Sequence, residues 1–570
     1  MDRRTLAAWS VAVGLGLGLF GNLVFYGKQI GLSFPLFIAA VLLTLLALSR
    51  AAQTPIHRRN LWPVLPIMFF AGMVAVRADS LIVTLNILAV LSLGALLIHY
   101  LPLKFALDEA GFEEQFSAVA QVGIAVIPMS IIQGVDAWGW LRERRQQRGA
   151  LAASILRGLI FALPILAVFV ILLGSADAIF AHYVTEAVDS VRRLLGLEYV
   201  DDVIAQAIFT GTLALIATGG LGYALARRLD LAGTSPASKP VESETTGDDF
   251  TADLTVEEKR KPAFKLSMVE SGIVMGGVVL LFGAFVLVQF AYFFGGRATL
   301  ELTGLSFSEY ARRGFFELVA VSVLTLGMGL VLKAFTVRQG KTEETLFRAL
   351  ILLIVGLTGV MLISAAQRMW LYEEAFGFTQ LRVYTHVSMG WLGVLFAVFV
   401  AGLFVTRRNL FSLGILLSII GYLATLNVMN VDYYIAERNI ARYTQNPDQE
   451  LDIAFLDTLS VDAAPVITRL YSEAAPESIA HQWAGQWLAR GLLNLQNDSA
   501  GVSATIFSYN AARANALAAL SAQQAALPAY DPTFYKDSPF FWGSRYSTEL
   551  QDYETNYGSG WDQAGTPLPR

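Results

Sequence analysis

Long apolar runs separated by short polar stretches recur along most of the chain, and their length predicts membrane spans rather than buried core helices. A hydrocarbon layer about 30 Å thick takes about 20 helical residues to cross, because lipid offers unpaired backbone groups no partner. Eleven segments qualify: Leu6 to Tyr26, Gly31 to Leu48, Leu61 to Val76, Leu81 to Tyr100, Leu151 to Gly174, Val203 to Leu225, Leu266 to Phe294, Phe315 to Ala334, Phe347 to Gln367, Val383 to Val405 and Leu410 to Val428. The third is short and carries Pro63 and Pro66. The first follows Arg3 and Arg4 but lacks a small-x-small cleavage site, so it reads as an anchor.

Basic residues resist translocation, and their placement orients the spans. Arg3, Arg4, Arg50, Arg58, Arg59, Arg142 through Arg148, Arg227, Arg228, Lys333, Arg338, Lys341, Arg407 and Arg408 fall on one side, which predicts a cytoplasmic N-terminus and an extracytoplasmic C-terminal part in a plasma membrane. Ser117 to Trp140 is apolar enough to span, yet crossing would carry the Arg142 to Arg148 cluster outward, so residues 117–140 read as an interfacial or re-entrant segment.

The pattern divides the chain into a membrane half at 1–228 and a second at 265–428, joined by an acidic, Ser- and Pro-rich linker at 229–264. Between the fifth and sixth spans, Phe180, Val184, Ala187, Val191 and Leu195 mark an amphipathic surface helix. A helical extramembrane domain occupies 429–527, with segments Val431 to Tyr443, Leu451 to Leu459, Val461 to Glu473, Glu477 to Leu495 and Val502 to Ala526. From Pro528 the tail turns aromatic and irregular; its rings suit either the helical domain or headgroups. The expected fold class is all-α and polytopic.

Composition narrows the chemistry. Only 15% of the 570 residues are charged and 55% are apolar, which excludes a water-soluble enzyme of this size. There is no cysteine, and the five histidines lie far apart, so no metal and no cofactor is expected. GxSxG, SxxK, HExxH and P-loop motifs are missing in credible contexts. The net charge of −5 conceals an acidic region after residue 428, where 8 Lys and Arg face 16 Asp and Glu.

Three polar segments break the positive-inside pattern. Ser306 to Glu317 opens with a capping-box spacing and sets Glu309, Arg313 and Glu317 on one helix face. Arg368 to His386 concentrates Arg368, Tyr372, Glu373, Glu374, Arg382, Tyr384 and His386. Asn427 to Tyr443 carries Asn427, Asn430 and Tyr434 along a stripe, with Arg438 and Arg442 beyond. All three are expected on the same outer side, where they could form one polar site. The plainer reading is an intrahelical ladder of Glu309, Arg313 and Glu317, with arginines reaching to headgroups. Glu270 pairs locally with Lys265, and Asp177 caps a helix.

VQFAYFFGG (Val288 to Gly296), SEYARRGFFEL (Ser308 to Leu318), RMWLYEEAFGFTQLRVY (Arg368 to Tyr384), NVDYYIAERNIARY (Asn430 to Tyr443) and LDIAFLDTLSVDAAPVI (Leu451 to Ile467) resemble the bacterial integral-membrane family catalogued as domain of unknown function 4173, related to 4153. Leu156 to Ala181 follows the same pattern. The likeness runs from about Leu151 to about Leu520 and implies a polytopic helical protein with a helical extramembrane part, without a reaction or substrate.

The leading expectation is a non-enzymatic envelope assembly or signalling partner that displays its acidic helical domain. Its partners would be the bilayer and an envelope protein or lipid, with no nucleic acid. The rivals are a transporter or flippase using the outer polar residues, and an intramembrane transferase.

Overall fold

The computed structural model describes residues 3–53, 56–144, 200–233, 266–294, 315–405, 409–446, 451–500 and 505–534. Within them the regular structure is helical, and ten helices are long and apolar enough to cross a membrane. The protein is a polytopic all-α membrane protein. In chain order the first six helices are α1 (Arg3–Phe25), α2 (Ser33–Ala51), α3 (Val64–Val74), α4 (Ser80–Tyr100), α5 (Phe112–Arg144) and α6 (Val200–Gly233). There follow α7 (Met268–Phe294), α8 (Phe315–Phe335), α9 (Lys341–Phe376), α10 (Gln380–Phe404) and α11 (Leu410–Met429). A cap is built from α12 (Val431–Gln445), α13 (Ile453–Leu456), α14 (Ala464–Glu473), α15 (Ile479–Ala500) and α16 (Ala511–Ala522).

Nine expected spans coincide with these helices to within a few residues at most ends, and α9 runs a turn or more past both ends of its expected segment. Leu151 to Gly174, the amphipathic Phe180 to Leu195 segment and the 234–264 part of the linker lie outside the described residues. The short third span is completed by a 3-10 turn at Arg58–Leu61 and two turn residues with helical backbone angles, Trp62 and Pro63, ahead of α3. Eleven residues of α3 alone would reach about 16 Å. With the preceding turn, the chain passes from Asn60, bonded to the Tyr100 carbonyl, to Ala78 at the opposite end of α4.

Two ends of the bundle are thereby defined. At one, Arg59 pairs with Asp108 and Glu109, Asn409 donates to the Glu109 carbonyl, and Lys333 donates to the Gly402 carbonyl at 2.7 Å. The cap occupies the other. Helix α5 is continuous through Pro128. Gly111, just before it, lies beside Asn409, and Gly139 near its far end lies against Arg4. Both ends of α5 therefore sit at the basic end, although its length would suffice for a span.

Three buried cores result. One joins α1 to α6 with α11, a second joins α7 to α10, and the third fills the cap and reaches into the outer ends of the spans through Ile82, Val383 and Leu426. The last span packs on α10 through Gly414 and Gly421 and also reaches the N-terminal helices through Leu423 and Asn427, across the boundary that the linker marks in sequence. Close approach of α1 and α6 depends on glycine: a Cβ at Gly18 would stand 2.6 Å from the Thr210 carbonyl oxygen. The cap core is centred on Trp483, whose ring nitrogen donates to Asp457. Tyr530 and Phe534, from the start of the aromatic tail, pack onto this core.

Candidate functional site

Where the cap meets the bundle, three carboxyl groups and one guanidinium are buried together. Asp79 caps the N-terminus of α4 and accepts the Ile82 N–H at 2.7 Å, as a short polar side chain does at that position. Asp432 stands in the first turn of α12, where the helix dipole favours negative charge. Asp462 lies in the turn that Ser460 starts and Pro465 carries into α14. Its Oδ2 accepts the N–H groups of Ala78 and Asp79, at 2.7 and 3.2 Å, which ties the cap to the α3–α4 loop. The Gln380 amide donates to Asp432 at 2.8 Å and to Asp79 at 3.2 Å, and the Ser460 N–H donates to the other oxygen of Asp432.

Arg77 is the cation of this cluster. It donates to the Asn427 carbonyl and faces Asp462 at 3.8 Å. One positive group beside three carboxyls leaves surplus negative charge in a place with little water. Burial, reinforced by the Asp432 charge, pushes Asp79 up to about 6. Burial also raises Asp462, against the pull of its backbone donors and Arg77. Below this layer Asn86 and Asn427, both fully buried, exchange two side-chain hydrogen bonds of 2.8 and 2.7 Å between α4 and α11.

Two further ties complete the junction. Asn510 donates to the carbonyls of Val74 and Arg77, and Arg513 to Gln29 and the Ile30 carbonyl. On the α9–α10 side, Asn439 brackets Phe378 by accepting its N–H and donating to its carbonyl, while Arg442 donates to the Glu374 carbonyl. Gly377 turns this hairpin with φ of 81°, and a Cβ there would stand 2.6 Å from the Asn439 side-chain oxygen.

The residues singled out from sequence divide accordingly. Arg382 lies over the Tyr372 ring at 4.3 Å and donates to the Phe376 and Gly377 carbonyls. His386 meets buried Glu373 at 3.1 Å. Arg438 lies over Tyr434, Asn427 joins the buried layer, and Asn430 is the left-handed residue between α11 and α12. Arg368 and Glu374 lie on α9, where Glu374 enters the junction through its carbonyl. Glu309 and Arg313 fall outside the described residues; Glu317 lies in the first turn of α8, and its side chain is not described. The described members do not converge on one outward pocket: the hairpin group and the Asn427 layer are separate contacts of the same junction.

Sequence reasoning missed Arg77, Asp79, Asn86, Asp432, Asp462 and Asn510. One signal was available, since Arg77, like Arg368 and Arg382, falls on the side opposite the main basic clusters. Among the described residues no group of three or more His, Cys, Asp or Glu is arranged to hold a metal ion.

Helical spans topped by a docked helical cap define the class, a multi-pass membrane protein whose polar residues at one end of the bundle join cap to spans. The chain belongs to the family described as Domain of unknown function (DUF4153), whose model matches residues 64–470. That is the family which the sequence resemblance placed beside 4173, and the match takes in residues 64–150, which the resemblance had left out. No curated protein and no solved structure matches the chain.

Proposed function

We propose that the protein is a non-enzymatic envelope-membrane component that holds its acidic helical cap rigidly on the extracytoplasmic face for an assembly or signalling partner. The observation that carries this reading is the grip of Asp462 on the Ala78 and Asp79 amides, because it makes the outer polar residues parts of a joint. Orientation is supported by the opposite end, which collects Arg50, Arg58, Arg59, Lys104, Arg338 and Lys341, the pattern of a cytoplasmic face. Helix α5 starts and finishes near that face while its middle, at Val126 and Gln133, packs on Gly219 and Gly222 of α6, as a re-entrant segment would.

The chain has no cysteine, so Ser472→Cys supplies a single labelling site on the cap. A membrane-impermeant maleimide is expected to label it in intact cells. A photo-crosslinking residue at exposed Gln482 of the full-length chain is expected to give discrete adducts with an envelope protein or wall polymer. Failure of the label, or no adduct from several exposed cap positions, would reject the proposal.

One observation favours a second reading, a transporter or flippase. Glu373 is buried beside His386 within the outer part of the bundle, and ionisable pairs at such depth often serve translocation. Reconstituted vesicles distinguish the two. Movement of an ion, lipid or amphiphile by the native chain, lost in Glu373→Gln, would favour transport; no movement would leave the first reading.

A further inference from the structure

We propose that the turn at 505–509 of the cap is a membrane wedge, seated in the interfacial layer of the same bilayer that the spans cross. The turn is held at a defined depth. The Tyr509 carbonyl accepts the Leu32 N–H at 2.8 Å, one residue before α2 begins, and Gly31 leaves no room for a Cβ against the backbone of Ser508 and Tyr509. A second marker lies deeper. The Lys28 ammonium donates back to the Leu23 carbonyl, inside the last turn of α1, and stands 5.5 Å from the centre of the Phe507 ring. Phe507 therefore sits level with the end of a span, not above it.

The surface of this turn is apolar where water would be expected to face it. Ile506 is 72% exposed and Tyr509 49%, and Leu23 on the adjoining α1 is 57% exposed. An exposed apolar turn beside the end of a membrane-spanning helix, carrying an aromatic ring with a polar tip and a neighbouring lysine, matches the boundary between headgroups and acyl chains. The occupant is phospholipid. This inference rests only on the multi-pass reading and is independent of what the cap binds.

The test uses the full chain with single cysteines carrying a nitroxide, reconstituted in vesicles of phosphatidylcholine and phosphatidylglycerol at three to one. Collision with oxygen reports lipid, and collision with a water-soluble nickel chelate reports the aqueous phase. The label at Ile506→Cys is expected to favour oxygen several-fold over its ratio at Ser472→Cys, and to approach the ratio at Leu23→Cys. A ratio equal to that at Ser472 would place the turn in water and overturn the proposal. Protection from both reagents would assign it to a protein contact, also overturning it. If the Leu23 label itself favoured the nickel chelate, the span assignment would fail instead, which separates the two conclusions.

Discussion

Among single residues, Asp79 has the sharpest chemical consequence. A free aspartate titrates near 3.9, whereas Asp79 is pushed up to about 6 by burial and by Asp432. The docked form therefore holds a proton that an undocked or unfolded chain would release between those values. Its stabilising contribution is complete below about pH 4 and is lost as pH rises through about 6. Asp462, also raised by burial, acts in the same direction, and the charged and polar side chains beside the two are Arg77, Asp432, Gln380 and Tyr384. In detergent, the unfolding temperature of the native chain should fall relative to that of Asp79→Asn as pH is taken from 5 to 7.5. Parallel pH curves for the two proteins would contradict this. Asp462→Ala leaves the Ala78 and Asp79 amides without their acceptor and should destabilise the cap junction by about 2–4 kcal/mol. Faster protease cleavage within 431–534, with the bundle intact, is the readout.

Helices were legible to the degree that lipid dictates them. A span must satisfy its own backbone, so α1, α2, α4 and α7 to α11 could be read from length and apolarity alone. The third span was harder, because its crossing joins a 3-10 turn to α3 through Pro63. Pairing between helices left weaker traces. Gly14 and Gly18 stand four apart on α1, yet many membrane helices carry such spacing without using it. Here Gly18 faces the backbone of α6, and Gly18→Leu should separate the two helices, lowering the yield of folded protein in size-exclusion chromatography. Gly16, where an added Cβ would meet nothing within 4 Å, should accept leucine without that loss.

The junction as a whole shows why the site was less readable than the fold. Its strongest contacts join distant parts of the chain: Asn86 with Asn427, Asp462 with Ala78, and Arg513 with Gln29. Several end on backbone groups, which leave no pattern in the side chains. Asp462 and Asp432 sit at helix starts, where an acidic residue already has a local explanation. Arg77, like Arg368 and Arg382, placed a cation on the side opposite the main basic clusters, but its loop carried no other polar run to draw attention to it. Of the three segments expected to form one polar site, most of 306–317 lies outside the described residues, and α12 of the cap meets the α9–α10 hairpin through contacts of the main chain as much as of side chains.

Because α11, packed on α10 of its own half, also touches α3 and α4, and the cap grips loops of both halves, continuity of the peptide between those halves is redundant for holding them together. A gene cut between codons 245 and 246 should yield two polypeptides that find one another in the membrane. Co-expressed fragments are expected to co-purify through a tag on either piece and to melt as a unit. Recovery of each piece alone would mean that the backbone, and not the interlock, keeps the molecule whole.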